Sequence, residues 1–265
     1  MHTTRSITNI FAMIIAFAFV LFGVLETLDI TAVVRNNEFL NTYRIMDYSS
    51  LAIIIGGVLF NSLISFHLSD VFKALRNTFA VFSPVESAHK QKAQILETIL
   101  QWDERFKLNK NEAIQYLLEH TQNDLHITFL SLMSTNYSVE TFRQMAEKKI
   151  ESKYLHKIDE AEVLTTMGNS APAFGMLGNI FGMILMLTKF DDAARLATGL
   201  STAIMTTLYG LVFAYFAFLP TAKKVKQNAL SAYHADKMMV EGAVMIMENK
   251  STFYINDRLD SFLHS

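Results

Sequence analysis

The sequence contains no cysteine among its 265 residues and little net charge of either sign. The lack of cysteine excludes a disulfide scaffold, a thiolate nucleophile and a metal site built on cysteine. The 23 lysine and arginine residues against 25 aspartate and glutamate residues leave a formal net charge of -2. With neither a basic surface nor an acidic tail, we expect no nucleic-acid partner and no solvating role.

Most signatures of catalysis are also missing. The chain has no glycine-rich phosphate loop ending in Lys-Ser or Lys-Thr, which excludes a nucleotide-driven motor of that kind. Its eight histidines are scattered, with no pair at metal-ligand spacing beside a carboxylate. No nucleophile elbow is present, although a Ser/His/Asp triad assembled in space stays open. We therefore expect no enzyme, no cofactor and no bound metal.

Hydrophobic residues are what the chain has in abundance. They make up 51% of it against 18% charged residues, and the mean hydropathy is +0.24, which is too apolar for an ordinary soluble domain. A bilayer needs about 20 consecutive apolar residues. Four segments meet that length: Ile7 to Leu25, Tyr48 to Phe66, Val163 to Thr188, and Leu196 to Ala222. The predicted fold class is an all-α polytopic membrane protein with four transmembrane helices.

Basic residues near the span ends predict the orientation. Lys223, Lys224 and Lys226 follow the last span at once, and four further lysines precede the third. The positive-inside rule then places both termini and the long middle segment in the cytoplasm. The predicted organisation is 1–67 for two spans with an external loop, 68–162 for a helical cytoplasmic insertion, 163–222 for the third and fourth spans, and 223–265 for a cytoplasmic C-terminal helix.

The third and fourth spans combine an absence of charge with many small and polar residues. None of the four spans contains Lys, Arg, Asp or Glu in its apolar part, so another chain must supply the carboxylate if ions move here. The unusual residues include three glycines that lie roughly along one face of the third span (Gly175, Gly178, Gly182), the amide Asn179, and four hydroxyls that cluster in the first half of the fourth (Ser201, Thr202, Thr206, Thr207).

Each group has a packing interpretation beside a functional one. Glycine pairs in membrane helices are mostly packing devices, and a threonine hydroxyl can bond to the carbonyl one turn back. Asn179 needs a partner, because an amide in hydrocarbon lacks water. Four clustered hydroxyls beside that amide favour a polar pathway.

These residues resemble a known family. "APAFGMLGNIFGMILML", "FDD" and "AIMTTLYGLVFAYFAFLPTAKK", between Gly168 and Lys224, look like the third and fourth membrane helices of MotA/PomA-type flagellar stator A subunits, within the wider family that includes ExbB and TolQ. "SSLAIIIGGVLF", from Ser49 to Phe60, is similar to the family's second span.

The resemblance implies a function and partners. In this family a ring of A subunits, a homopentamer, surrounds single-span B subunits that carry a membrane aspartate and a peptidoglycan-binding domain, and the complex lies in the bacterial inner membrane. Proton or sodium flow turns the ring against a cytoplasmic rotor protein. The polar residues Asn179, Thr206, Thr207, Ser201 and Thr202 would then form the wall of an ion pathway.

The resemblance also assigns roles residue by residue. Pro172 and Pro220 match the family's two functional prolines, and Thr207 matches a threonine associated with sodium handling. Asn179 replaces the other threonine of sodium-type members, so proton and sodium coupling both stay open. The external segment Asp29 to Asp47 is longer than the family's usual turn.

Contacts to the rotor are predicted less directly. Arg105, Lys107 and Glu112 lie near the place where the family carries rotor-facing charges, and a solvated helix face is the alternative. An ExbB/TolQ-like energiser that drives a periplasmic partner is the second functional hypothesis, and a membrane scaffold without ion flux is the third. The long insertion and the "MTTLYG" run favour the stator type.

Overall fold

The computed structural model describes residues 47–78, 88–135, 137–188 and 193–263. Within these ranges every regular element is a helix, which confirms the all-α prediction there. The helices are α1 (Tyr48–Ser65), α2 (Leu68–Thr78), α3 (Ala88–Leu108), α4 (Lys110–His120), α5 (Asp124–Ser134), α6 (Val139–Thr188), α7 (Ala193–Val212), a π-helical segment (Phe213–Phe218), α8 (Leu219–Met247) and α9 (Thr252–Leu263).

Three helices of the described chain are long and apolar enough to cross a membrane. They are Tyr48–Ser65, Val139–Thr188 and the continuous stretch Leu196–Met247. They contain the second, third and fourth predicted spans. The first predicted span, Ile7 to Leu25, lies outside the described residues, so the complete four-span topology stays a prediction.

The membrane unit is the first of two compact units and comprises the described residues 47–78, 159–188 and 193–225. Its buried core is small and apolar, and includes Ile54, Val58, Val71, Ala74, Val163, Leu164, Met167, Ala171, Ala214 and Ala222. Helix α2 belongs to this unit, although the predicted cytoplasmic insertion began at residue 68. The reason is that Val71 and Ala74 of α2 are buried in the same cluster as Ile54 and Val58 of α1.

The second unit comprises the described residues 88–135, 137–158 and 226–263 and has a core of its own. That core is built from large side chains of α3, α5, α6, α8 and α9, among them Ile99, Trp102, Phe129, Met133, Phe142, Ile150, Met238, Val244, Ile255 and Leu259. Arg143 on α6 donates to Glu241 on α8 at 2.5 Å. Apolar residues recur in the sequence of α3 at Ile95, Ile99, Trp102 and Phe106, with charged residues between them, and of these Ile99 and Trp102 are buried while Ile95 and Phe106 are partly buried.

Helix α8 ends in a motif that explains why the chain turns at Asn249. Asn249 has φ of 54°, in the left-handed region that asparagine tolerates better than most residues. Its N–H donates to the Ile246 carbonyl at 3.0 Å, and the Lys250 N–H donates to the Met245 carbonyl at 3.1 Å. This pair of bonds is the Schellman pattern, which satisfies the last carbonyls of a helix. The chain can then reverse and start α9.

His126 makes the second unit sensitive to acid. Its ring meets the Trp102 ring edge-on at 5.6 Å, and burial lowers the pKa of His126 below its ordinary value of 6.5; the Lys153 charge lowers this pKa further, and the Asp236 charge opposes the shift. The folded state therefore favours neutral His126. Its contribution to stability is present above the unfolded pKa near 6.5 and is lost as the pH falls from there through the lower folded pKa.

We accordingly expect the unfolding temperature of the protein to fall between about pH 7.5 and about pH 5.5, and to fall less in His126→Phe. The exposed His156, replaced by glutamine, serves as the control. Thermal unfolding at both pH values checks this. An equal pH dependence in wild type and His126→Phe would contradict it.

Candidate functional site

Helices α6 and α7 pack so closely that their backbones are in contact. A Cβ added at Gly182 would lie 2.7 Å from the Gly199 carbonyl oxygen and 2.7 Å from the Ala203 nitrogen. A Cβ added at Gly199 would lie 2.8 Å from the Gly182 carbonyl oxygen. Because real Cβ atoms do not approach backbone this closely, these positions accept glycine and little else. Small residues at helical spacing are the usual means of such an approach in membranes.

The same contact continues along the two helices towards Pro172. A Cβ added at Gly175 would lie 3.0 Å from the Thr206 carbonyl oxygen, and one at Gly178 would overlap the Thr206 side chain. At Gly210, an added Cβ would lie 2.7 Å from the Ala171 carbonyl oxygen. The three glycines predicted for helix packing, Gly175, Gly178 and Gly182, thus all lie on the α6 face that meets α7.

Thr206 is held inside this helix pair. Its side chain is fully buried, and its hydroxyl donates to the carbonyls of Thr202 at 2.9 Å and Ala203 at 3.1 Å. The hydroxyl is thus satisfied within its own helix. The Thr206 side chain packs against Gly178 of α6. This contact agrees with a packing role for a threonine in a span.

Thr207 and Asn179 form the polar pair of the site. The Thr207 hydroxyl donates to the Ala203 carbonyl at 3.2 Å and accepts from the Asn179 Nδ2 amide at 3.4 Å. Both side chains are half-buried, so the Asn179 carbonyl oxygen and the remaining lone pair of Thr207 are within reach of a ligand. The sequence predicted these two residues for one pathway, and the structure brings them together from neighbouring helices.

Asp47, the last residue of the predicted external segment, is a polar residue to which the sequence analysis gave no role in the site. It caps α1, where its carboxylate accepts from the Ser49 N–H at 3.1 Å and from the Ser50 hydroxyl at 2.5 Å. The same carboxylate accepts from the Thr202 hydroxyl at 3.1 Å, and the Asp47 N–H donates to the Tyr209 hydroxyl at 3.2 Å. Asp47 therefore joins the start of α1 to α7.

A local signal could have revealed part of this arrangement. An aspartate directly before an apolar run is a typical helix N-cap. It does not reveal the contact with Thr202, which lies 155 residues away in the chain. The fourth predicted hydroxyl, Ser201, is half-buried beside Thr202.

The two prolines both lie inside continuous helical stretches. Pro172 is in the interior of α6, and Pro220 is the second residue of α8, directly after the π-helical segment. Because proline has no N–H, Pro172 cannot donate to the Gly168 carbonyl four residues earlier. The two helix turns that these prolines interrupt lie close together. A Cβ added at Gly168 would be 2.6 Å from Cγ of Leu219, the neighbour of Pro220.

The predicted rotor-contact residues lie in the second unit, near the junction of α3 and α4. The Arg105 guanidinium lies 3.9 Å from the centre of the Tyr116 ring, a cation–π arrangement. Lys107 donates to the nearly buried Asp103 carboxylate at 2.6 Å. Glu112 is in the first turn of α4. Arg105 and Lys107 thus have local partners, and no structural observation tests their contact with a rotor.

Across the described ranges, no group of three or more histidine, aspartate or glutamate side chains is arranged to hold a metal ion. The described predicted spans, 48–65, 163–188 and 196–222, contain no Asp, Glu, Lys or Arg, so their side chains offer neutral oxygen and nitrogen atoms, with Asp47 at the edge of α1. Apolar helices, backbone-to-backbone packing and an amide–hydroxyl pair define a polytopic helical membrane protein that presents uncharged polar groups within its spans.

Comparison with known proteins finds a similar family. Residues 109–235 match the model of the MotA/TolQ/ExbB proton channel family. The resemblance to MotA/PomA-type proteins is thereby confirmed. No comparison assigns the individual site residues, whose roles stay predictions.

Curated relatives and a solved structure are similar to this chain over most of its length. The protein YtxD of Bacillus subtilis is 25% identical over 240 residues, which is 90% of this chain and 87% of YtxD. Motility protein A of Bacillus subtilis is 26% identical over 219 residues, covering 81% of this chain and 79% of that protein. A chain of the C. jejuni MotAB structure superposes with a TM-score of 0.71 at 22% identity, over 89% of this chain and 92% of that one.

Proposed function

We propose that this chain is the A-type subunit of a stator complex, an ion-driven rotary motor that converts proton or sodium flow into torque on a cytoplasmic rotor, as in a flagellum. The observation that carries the proposal is the Asn179–Thr207 pair at 3.4 Å, on two apolar helices in backbone contact. The similarity to motility protein A and the fold shared with a MotAB chain support it.

The uncharged pathway requires a partner. The amide and hydroxyl of Asn179 and Thr207 can solvate a cation or join a hydrogen-bond network, but they cannot themselves carry a proton as a carboxylate does. A B-type single-span subunit with a membrane aspartate and a peptidoglycan-binding domain supplies that group in this proposal. The chain forms a homopentamer around it in the bacterial inner membrane, with both termini in the cytoplasm.

The remaining assignments follow the same proposal. Thr206, Ser201 and Thr202 flank the pathway, and Asp47 anchors α1 beside it through its bond to Thr202. Pro172 and Pro220 couple ion passage to helix movement. Arg105, Lys107 and Glu112 contact the rotor.

An ExbB/TolQ-like energiser is the second candidate, because the matching family model includes those proteins. The two candidates differ at Arg105. A stator subunit loses torque on the rotor when Arg105 is replaced by glutamate. An energiser keeps its activity on the periplasmic partner after the same replacement. The charge reversal also removes the cation–π contact with Tyr116. Arg105→Gln is the matched control, because it removes that contact without reversing the charge.

The direct test is ion flux. We expect the complex purified from its native membrane and reconstituted in liposomes to pass protons or sodium ions down an imposed gradient. A pH-sensitive dye and a sodium-sensitive dye inside the vesicles distinguish the two ions. A complex that contains the single-span partner and conducts neither ion would contradict the proposed function.

A further inference from the structure

The fourth membrane helix contains a break in its hydrogen-bond ladder. From Phe213 to Phe218 the helix has π geometry, and the Leu219 N–H donates to the Ala214 carbonyl, five residues back instead of four. Pro220 supplies the local cause, because it has no N–H for the carbonyl four residues earlier. One residue later the Thr221 hydroxyl donates to the Ala217 carbonyl at 2.6 Å. We call Phe213–Phe218 the register segment.

A ring pair fits this wider turn. The Phe213 and Phe218 rings have centroids 6.3 Å apart. In an α-helix of 3.6 residues per turn, side chains five positions apart point roughly 140° away from each other. In a π-helix the i→i+5 bond brings the same two positions one turn apart on about the same face. The contact between the two rings therefore stabilises the π register.

The register segment also decides which residues face α6. Gly210, before it, packs against Ala171 of α6, and Leu219, after it, packs against Gly168 of α6. In an uninterrupted α-helix, two residues nine positions apart would point in roughly opposite directions. The extra residue in the π turn rotates Leu219 back towards α6 by about one residue step of 100°. Without this rotation, the Leu219 side chain would no longer contact Gly168.

Helix α6 is weakened at the same contact, because Pro172 cannot donate to the Gly168 carbonyl. We propose that the register segment is a switch, in which the fourth membrane helix alternates between the π register seen here and an α register that withdraws Leu219 from Gly168. This inference rests on the proposed function, since the switch would couple ion passage to movement of the helix. The contact between the Phe213 and Phe218 rings stabilises the π register, which is one of the two states.

A reversible cross-link tests the switch. Because the chain has no cysteine, Gly168→Cys with Leu219→Cys introduces the sole two thiols of the subunit, and the second change removes the side chain that the first would overlap. Oxidation should then trap the π register. We expect loss of torque in the assembled complex on oxidation and recovery on reduction, with each single-cysteine variant as control. Normal torque in the cross-linked complex, or failure of the disulfide to form, would overturn the proposal.

Deletion of Ala217 provides a second test. Removing one residue from the π turn restores an α-helix while keeping Gly210 and Leu219 on the α6 side, so assembly should persist and torque should be lost. Deletion of Leu200, in the regular part of α7 ahead of Gly210, rotates the later α7 residues that pack on α6 by about 100° and should prevent assembly. An Ala217 deletion that works like the wild type, or one that cannot assemble, contradicts the switch.

Failure of the switch can be told apart from failure of the stator function. The rate of cross-linking between the two introduced cysteines is measured with and without an ion gradient across the vesicle. We expect the gradient to change that rate; an unchanged rate in vesicles that do conduct ions removes the switch and leaves the stator function standing. Wild-type vesicles that conduct no ions would contradict the stator function. They would also contradict the coupling of ion passage to helix movement on which the switch rests.

Discussion

Replacing Thr207 by valine is expected to lower ion flux and torque by at least about tenfold, which needs a barrier increase of only ~1.4 kcal/mol. Valine keeps the shape of threonine and removes the hydroxyl that accepts from Asn179 and donates to Ala203. Asn179→Leu should have the same effect, because it removes the other member of the pair. Ion flux in liposomes and torque in cells measure the loss, and native mass of the complex shows that assembly persists.

The matched control for these variants is Thr165→Val. The Thr165 hydroxyl donates to the Ala161 carbonyl at 2.8 Å, as a threonine without a pathway role does. We expect this variant to keep wild-type flux. A membrane scaffold without ion flux predicts that Thr207→Val, Asn179→Leu and Thr165→Val behave alike, so equal activity in all three would contradict the stator function.

Replacing Gly182 by alanine is expected to destabilise the protein strongly. The new Cβ would lie 2.7 Å from two backbone atoms of α7, and helix backbone cannot yield as a flexible side chain does. Overpacking of this kind costs about 1–3 kcal/mol, and more where backbone must move. Thermal unfolding of the purified protein and the yield of assembled complex measure the effect.

Gly56 provides the control for the glycine substitution. It also lies in a predicted span, but a Cβ added there meets nothing within 4 Å. Gly56→Ala should therefore be as stable as the wild type or slightly more so, because alanine is the better helix former. If Gly182→Ala unfolded at the same temperature as Gly56→Ala, the close packing of α6 on α7 would be wrong.

The helices and the closeness of α6 and α7 could be predicted from the sequence because they depend on local patterns. Apolar runs bounded by charge gave three of the spans, and Gly178 and Gly182 at a four-residue spacing indicated a close helix contact. The amphipathic spacing around Ile99 and Trp102 likewise indicated which side chains are buried.

The different contacts of the individual hydroxyl-bearing side chains could not be predicted from local patterns. The sequence places Thr206 and Thr207 next to each other, yet successive residues of a helix point about 100° apart. Thr206 therefore faces Gly178 while Thr207 faces Asn179, and only the position of α6 decides which is which. The bond between Asp47 and Thr202 similarly depends on how α1 lies beside α7.

Pro220 shows a further limit of local rules. A proline beside polar residues is typical of a helix end. Here the helix continues to Met247, because the π turn before Pro220 absorbs the missing hydrogen bond. The proline can be read from the sequence, but the π-helical hydrogen-bond register that accommodates it cannot.

The central claim is that this chain works with a partner that brings the carboxylate. The most direct test is the mass of the intact complex, purified gently from its native membrane, with identification of every chain in it. We predict five copies of this chain with two copies of a single-span protein that has an aspartate within its span and a peptidoglycan-binding domain. A complex of this chain alone, or one whose partner lacks that aspartate, would leave the pathway without a carboxylate and contradict the account.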